Sequence, residues 1–484
     1  MLKHINRWLY MLFCLLITFQ IYGQQSNTLY FMHSIPQSNL VNPAVQNECR
    51  LFIGLPAISS FHINIANNGF TFNQLIDNQS PGEYTIDAAT LLDKLGNRNY
   101  FSTELYACIF AFGIKLKNRY YFTLNIRERD DLNVLYTKDL FSLAYKGNTQ
   151  YEGQFVSLKG NGLQFNHFRE FSIGISKAAN EYTTYGIRAK LLFGKLNFST
   201  TRNNVSLLTE ENTFNLLFNG DVKFDASLPA SLDYVDGNTL RANRNYYNNS
   251  LNDLIFNRKN YGFAIDIGII NKYSQNVILT GSILDLGFIS YRSNLTNYSL
   301  EGAYAYTGPL NDTIQSYFLN IFDQLNDTLQ ISLNRRQYIS FLYPRIYAGL
   351  SYVYNKNFTF NILLFSHIIK EKVQSGLTLS ANWRPSKQFG ASLSWSAIHR
   401  SINNIGAGFF IGRNPVQFYL VSDNVVGMIW PQSTKNLNLR FGLNIILGCE
   451  NKPTGNKSNM NDCGCYWLRK AEERKERKKK FMRK

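Results

Sequence analysis

The amino-acid sequence predicts an all-β fold, a transmembrane antiparallel β-barrel of about 14 strands, and three observations predict it. Apolar and polar residues alternate with period two in segment after segment, as they do where successive side chains point to opposite faces of a strand. These segments run to about 10 to 14 residues, longer than most soluble strands and suited to a tilted crossing of a bilayer. Short links alternate with mostly longer ones, which is the pattern of tight turns on one barrel rim and long loops on the other.

Composition agrees with this class. Of 484 residues, 45% are hydrophobic, 15% aromatic and only 17% charged, which argues against long disordered regions. Tyr (30) and Phe (36) far outnumber Trp (5), and in a barrel they have two homes, the lipid face and the interfacial girdles. Gly at 32 and Pro at 11 exclude collagen-like and Pro-rich material. Beyond the N-terminus no run of about 18 apolar residues occurs, which excludes a multi-span helical membrane protein.

Residues 1–23 read as a secretory signal peptide: Lys3 and Arg7 are basic, 8–22 is apolar, and Gly23 precedes a cut ahead of Gln24. A membrane anchor is the alternative, but the polar Gln24, Gln25 and Ser26 fit cleavage better. Cys14 lies within the apolar run and not at its end, against a lipoprotein cut. Export lowers the weight of cytosolic enzyme classes. Residues 24–48 show no strand period and are assigned as an N-terminal plug segment, followed by the barrel over 49–448.

Strands are placed near 50–66, 104–116, 119–128, 168–177, 182–200, 258–270, 276–292, 339–354, 357–366, 374–384, 388–398, 404–412, 415–423 and 436–448. In the third, Tyr120, Phe122, Leu124 and Ile126 alternate with Tyr121, Thr123, Asn125 and Arg127. In the sixth, Phe263, Ile265, Ile267 and Ile269 alternate with Gly262, Ala264, Asp266 and Gly268. In the last, Leu437, Leu439, Phe441, Leu443, Ile445 and Leu447 share one face, with Asn438, Arg440, Gly442 and Asn444 on the other. Links at 117–118, 178–182, 271–275, 355–356, 385–388 and 413–414 are short. Those at 67–103, 129–167, 201–257 and 293–338 are long. In lipid every backbone donor and acceptor must pair within the protein, which strands achieve only in a closed sheet. An even strand count returns both termini to the periplasm of an outer-membrane protein.

Polar faces locate the candidate lumen. Arg127, Arg188, Asp266, Arg384 and Arg440 fall on them, either lining a channel or filling the lumen and gripping the segment from Gln24 to Asn47. On the lipid face an Arg would cost about 2–4 kcal/mol at mid-bilayer. Gly406, Gly408 and Gly412 do not precede a helix, so they read as small lumen-facing residues that admit a neighbouring side chain and not as a nucleotide loop. No His-Glu-x-x-His, Gly-x-Ser-x-Gly or P-loop occurs, the six His are scattered, and Ser396 with His399 lacks a third partner. No enzyme, cofactor or metal site is expected.

Formal charge is +17, and the last 36 residues carry 12 Lys or Arg against 5 acids. Export makes nucleic acid an improbable target, and an anionic surface or polymer a better one. The tail 449–484 contains a short basic helix near its end. Its Arg474, Lys475, Arg477, Lys478, Lys479 and Lys480 form a tether to peptidoglycan or a periplasmic protein, or else a solvated tail. Removal of the signal leaves Cys49, Cys108, Cys449, Cys463 and Cys465, an odd number that leaves at least one thiol free or shared between chains. Cys463 and Cys465 are too close to pair readily with each other, so Cys449 with one of them is the expected disulfide.

Asn42-Pro43-Ala44, just before the first strand, resembles the FadL-type fatty-acid transporter barrels. Their fourteen strands follow an N-terminal plug with a similar triplet. Longer phrases are similar to an uncharacterised Bacteroidota outer-membrane β-barrel family, related in style to the PorV and PorP/SprF barrels. They are residues 39–44, 53–56, Leu284-Asp285-Leu286-Gly287-Phe288, 415–419 with 422–424, and 438–444. The resemblance spans nearly the whole mature chain and implies an outer-membrane barrel. The 36-residue tail departs from barrels that end on an aromatic strand residue, and no fatty-acid site aligns. Two functions follow: a FadL-like transporter or pore for small or hydrophobic solutes, or a non-transporting scaffold, secretion-associated, acting through its loops and basic tail. Outer-membrane lipid is a partner in both.

Overall fold

The computed structural model describes residues 26–449 apart from 75, 81–82, 87, 214, 229–231, 236–238, 243–256, 307–329, 370–371, 399–400 and 414. Fourteen strands close into an antiparallel barrel. They are β1 (Leu51–Gly54 and Phe61–Asn67), β2 (Arg98–Lys115), β3 (Tyr120–Thr137), β4 (Gly162–Ala178), β5 (Thr183–Thr209), β6 (Tyr261–Lys272) and β7 (Val277–Tyr291). Then come β8 (Tyr338–Phe341 and Arg345–Val353), β9 (Phe358–Ile369), β10 (Lys372–Trp383), β11 (Phe389–Ile398), β12 (Ser401–Arg413), β13 (Val416–Ser422) and β14 (Asn436–Leu447). Each strand pairs with its sequence neighbours, and β14 returns to β1 with Leu51 opposite Leu447 and Phe61 opposite Phe441. Every predicted strand is present.

The alternation sorts cleanly between the two faces. Ile173, Ile187, Ile267 and Leu393 point outward, the last 61% exposed, while Ser172, Arg188, Asp266 and Ser394 point inward and are buried. An apolar exterior around a polar lumen is the inverse of a soluble sandwich and the arrangement of a membrane barrel. Tyr182, Tyr273, Tyr354 and Trp383 stand exposed beside the short turns, where an aromatic girdle belongs.

Three departures from the sequence reading matter. First, β2 to β5 run well beyond a bilayer crossing on the long-loop side. The 27-residue β5 continues into a projecting sheet with Leu216–Ser227, Leu295–Tyr306 and Gln330–Asn334, all inside links expected to be loops. Phe198, Phe224 and Tyr298 stack across that sheet with centroids 5.1 and 4.7 Å apart, contacts worth a fraction of a kcal/mol or more each.

Second, β1 is interrupted. Residues 55–60 break the strand and bring Ser59 into the lumen, where its carbonyl accepts from Gln37 and Tyr419, yet the ladder stays satisfied: Leu55 N donates to Leu443 O, Leu443 N to Ile58 O, and Cys108 N to Ser60 O. Third, the disulfide joins Cys49 to Cys449, so the expected pairing of Cys449 with Cys463 or Cys465 is corrected. The reason is closure of the barrel. The register that sets Leu51 opposite Leu447 also sets Cys49 opposite Cys449 across the seam, a proximity that spacing along the chain does not reveal. Cys463 and Cys465, with the tail cations Arg474 to Lys480, lie outside the described residues. Cys108 is a buried free thiol.

Candidate functional site

Residues 26–48 occupy the lumen, and between Ser26 and Asn47 all but Ser34 are buried. The segment holds a short helix, Asn27–Tyr30, and a 3-10 helix, Pro36–Leu40, with Pro36 in the first turn where its missing N–H costs nothing. Its apolar side chains fill three nests in the inner wall. Leu29, Met32 and Ile35 pack on Phe410, Tyr419 and Val421, and Tyr30 and Phe31 on Tyr347, Leu363 and Phe365. Ala44 and Val45 pack on Ile270, Ile278 and Val353.

The Asn42-Pro43-Ala44 turn sits where two glycines face one another, Gly186 on β5 and Gly268 on β6. A Cβ on Gly186 would lie 2.2 Å from Pro43 O, and one on Gly268 would lie 2.2 Å from Asn42 Oδ1. Asn42 Oδ1 accepts from Ala44 N at 3.0 Å, the self-closing turn characteristic of Asn. Gly406 and Gly408 serve the same purpose for Thr28 and Met32, while Gly412 faces Gln417.

Polar wall residues hold the segment along its length. Arg188 donates to Asn39 O and Oδ1 at 2.5 Å and to Leu40 O at 3.3 Å. Arg384 forms a two-pronged ion pair with Glu48, its Nη2 at 2.7 Å, and Arg440 donates to Ser26 Oγ at 2.8 Å. Gln37 bridges Ser59 O and Asn444, Asn382 donates to Phe31 O, and Ser282 to Val41 O. Asp423, just past β13, accepts from Asn27 N and Thr28 N at 3.2 and 2.7 Å. Burial pushes its carboxyl above the usual range, and the Thr28 and Asn27 hydrogen bonds oppose the rise.

Above the segment lies a network of five cations and four carboxylates. Arg127 grips Glu170 with bonds of 2.6 and 2.8 Å. Arg188 and Lys190 share Asp266 at 2.9 and 2.6 Å, and Arg129 bridges Glu170, Asp131 and Asp285. Asp285 is the hub, reached by Arg129 at 3.0 Å, Lys190 at 2.5 Å and Arg345. Its own N–H donates to Asp266 at 2.8 Å. Asp285 takes φ +61°, and the β6–β7 register slips between Ile265 and Ile267. This bulge turns both Leu284 and Asp285 inward, where strict alternation would send Asp285 to lipid. Asp is among the residues that tolerate the left-handed region.

The five sequence-predicted polar residues all face the lumen. Arg188, Arg384 and Arg440 touch the N-terminal segment, Asp266 holds Arg188, and Arg127 belongs to the network above. Sequence reasoning passed over Asp285, Glu170, Asp131, Arg129, Lys190 and Arg345. Arg129 lay just past the assigned end of the third strand, and Asp285 inside a phrase noted only for its resemblance. Ser396 bonds Thr378 at 2.8 Å, and His399 falls outside the described residues.

Two small clefts flank this segment. One of about 20 Å³ opens toward the long-loop rim between Glu104, Tyr106, Asp131, Tyr343 and His367. The other, about 50 Å³, lies toward the short turns between Phe31, Met32, Val353, Trp383 and Phe410. No group of three or more His, Cys, Asp or Glu able to hold a metal occurs among the described residues.

The model of a family of unknown function, DUF5723, matches residues 43–423, from the Pro43 turn to Asp423. The chain belongs to this family. No curated protein matches it. Among solved structures it is similar to the toluene transporter TodX of P. putida, at 9% identity and TM-score 0.33, over 84% of this chain and 90% of that one. It is also similar to the CymD monoaromatic hydrocarbon channel, at 9% and 0.31 over 85% and 92%. A FadL homologue of Pseudomonas aeruginosa matches at 9% and 0.33 over 83% and 90%.

Proposed function

We propose that this protein is a gated outer-membrane transporter for small solutes, closed at rest by its N-terminal segment acting as a plug. The observation that carries the reading is the manner of closure. The segment is held at its base by the Cys49–Cys449 disulfide and the Arg384–Glu48 pair, and elsewhere by the hydrogen bonds of Arg188, Arg440 and Asp423 and by its buried apolar nests, with no further covalent link among the described residues. A permanently filled barrel has a cheaper filling available. Burying ion pairs costs desolvation, and well-packed apolar side chains of similar volume are often as stable or more so. A charged lumen is favoured where water enters it for part of the working cycle. The small clefts on either side of the segment, each roomy enough for water, support this reading.

In this reading the short turns and both termini are periplasmic and the projecting sheet lies outside the cell. That sheet favours a second reading, a scaffold that presents its long strands to a surface assembly.

The test is a lock. Thr28→Cys with Ser394→Cys replaces a 2.7 Å contact between γ oxygens by a disulfide between plug and wall. Liposomes carrying the reduced protein should take up small solutes, oxidation should stop the uptake, and a chain lacking residues 24–47 should be open throughout. Equal uptake in locked and reduced forms, or no uptake by the plugless chain, would overturn transport and leave the scaffold.

A further inference from the structure

The charge of this barrel is concentrated at one end. The seam and short turns (48–50, 115–119, 177–182, 272–276, 354–357, 384–388 and 413–415) contain ten Lys or Arg and two acids. Elsewhere in 26–449 the two signs balance at 26 each. The lumen network and the long-loop rim together thus contribute no net charge, and the excess of the folded part, +8, belongs to the short-turn rim.

The placement is annular. Lys117 and Arg119 lie on the β2–β3 turn, Lys177 at the β4–β5 turn, Lys272 at β6–β7, Lys356 at β8–β9 and Lys387 at β10–β11, with all but Lys272 exposed. Of the two acids, Glu48 is taken by Arg384. The ring sits beside the exposed aromatics Tyr182, Tyr273, Tyr354 and Trp383, and Lys177 stands 5.0 Å over the Tyr120 ring. Aromatic residues at this level mark the headgroup boundary, where a Lys stem can lie along apolar surface while its ammonium reaches the phosphates.

We infer that this rim is a docking surface for the anionic phospholipid headgroups of the inner leaflet, phosphatidylglycerol in kind. Charge complementarity supplies the attraction, and the ring supplies the identity of the partner. A leaflet meets the full circumference of a barrel, whereas a protein partner meets an arc. Cations on five successive short turns match the former. The ring also fixes barrel height and orientation, because the opposite rim has no matching excess. Cys449 lies at the same rim, and the sequence that follows it carries seven further net positive charges. The inference rests on the outer-membrane reading with periplasmic short turns, and does not depend on transport.

The test uses the full mature chain folded into vesicles of equal parts phosphatidylcholine and phosphatidylglycerol, followed by native mass spectrometry of the lipids retained on extraction. Each cation near an anionic surface is worth roughly a fivefold preference, so phosphatidylglycerol should be enriched by ~10-fold or more. The variant Lys117→Gln, Lys177→Gln, Lys356→Gln, Lys387→Gln should lose most of that enrichment. A long-loop control with Lys146, Lys159, Arg258 and Lys259 changed to Gln should keep it, and so should a chain ending at Cys449. Gel migration before and after heating reports whether each barrel is folded, so a failed fold is not mistaken for lost binding. The proposal is overturned if the rim variant retains its phosphatidylglycerol, if the control loses it, or if tail removal alone abolishes it. It is likewise overturned if lipopolysaccharide displaces phosphatidylglycerol from the rim, or if the rim binds polyglutamate and ignores the lipid.

Discussion

Replacing Arg188 by methionine should loosen the plug without dismantling the barrel. The guanidinium is wholly buried and makes two 2.5 Å bonds to Asn39 and one of 3.3 Å to Leu40. Hydrogen bonds to a charged group contribute about 1.5–3 kcal/mol each. The two short ones thus amount to roughly 3–6 kcal/mol, part of which returns as water reaches the freed carbonyls. Asp266 is not left unpaired, because Lys190 stays at 2.6 Å and the Asp285 N–H at 2.8 Å. A net loss of about 3 kcal/mol raises the population with the plug displaced on the order of 100-fold. Labelling of Ser38→Cys by a membrane-impermeant maleimide reads that population, since Ser38 is fully buried when the plug is seated. Cys463→Ser and Cys465→Ser remove the competing tail thiols. Labelling should accelerate by one to two orders of magnitude while the barrel stays resistant to unfolding by detergent in the cold. An unchanged rate in a folded Arg188→Met barrel would refute the assignment of Arg188 as a plug grip.

Gly186→Ala or Gly268→Ala should unseat the Asn42-Pro43-Ala44 turn by overpacking, at about 1–3 kcal/mol. Both should speed Ser38→Cys labelling, while Gly281→Ala, whose Cβ would meet nothing closer than 3.5 Å, should not. Cys49→Ser should lower heat stability by ~2–4 kcal/mol and Cys463→Ser should leave it alone; peptide mapping without reduction should recover Cys49 linked to Cys449. Asp285→Ala leaves Arg129, Lys190 and Arg345 around an empty hub and should cost about 3–5 kcal/mol in denaturant unfolding, with Asp285→Asn milder.

Period-two alternation made the barrel legible because one face of every strand is apolar over a bilayer's thickness, and the turn-and-loop rhythm fixed the strand count. The same rule placed Arg127, Arg188, Asp266 and Arg440 inward, since each lies where its own strand keeps an unbroken alternation, and it carried over to Arg384 one residue past the end of β10. It failed at Asp285, where a single extra residue reverses the faces, and no local property of Leu284-Asp285-Leu286 announces a bulge. It also failed above the membrane. In β5 beyond residue 200 the polar face still alternates with Val205 and Leu207, but the partners of that extension come from distant loops. The disulfide was hidden for a related reason, since a seam joins residues 400 apart in sequence and appears only when the barrel closes. Nor could composition show that the charge excess is annular, because the basic turns are dispersed along the chain and meet only in the folded ring.

Planar-bilayer conductance of the mature chain, set beside the chain lacking residues 24–47, tests the central claim most directly. If the N-terminal segment closes the lumen, the mature protein shows rare, brief openings and the shortened one large, sustained steps. Equal conductance in the two, whether high or absent, would contradict it.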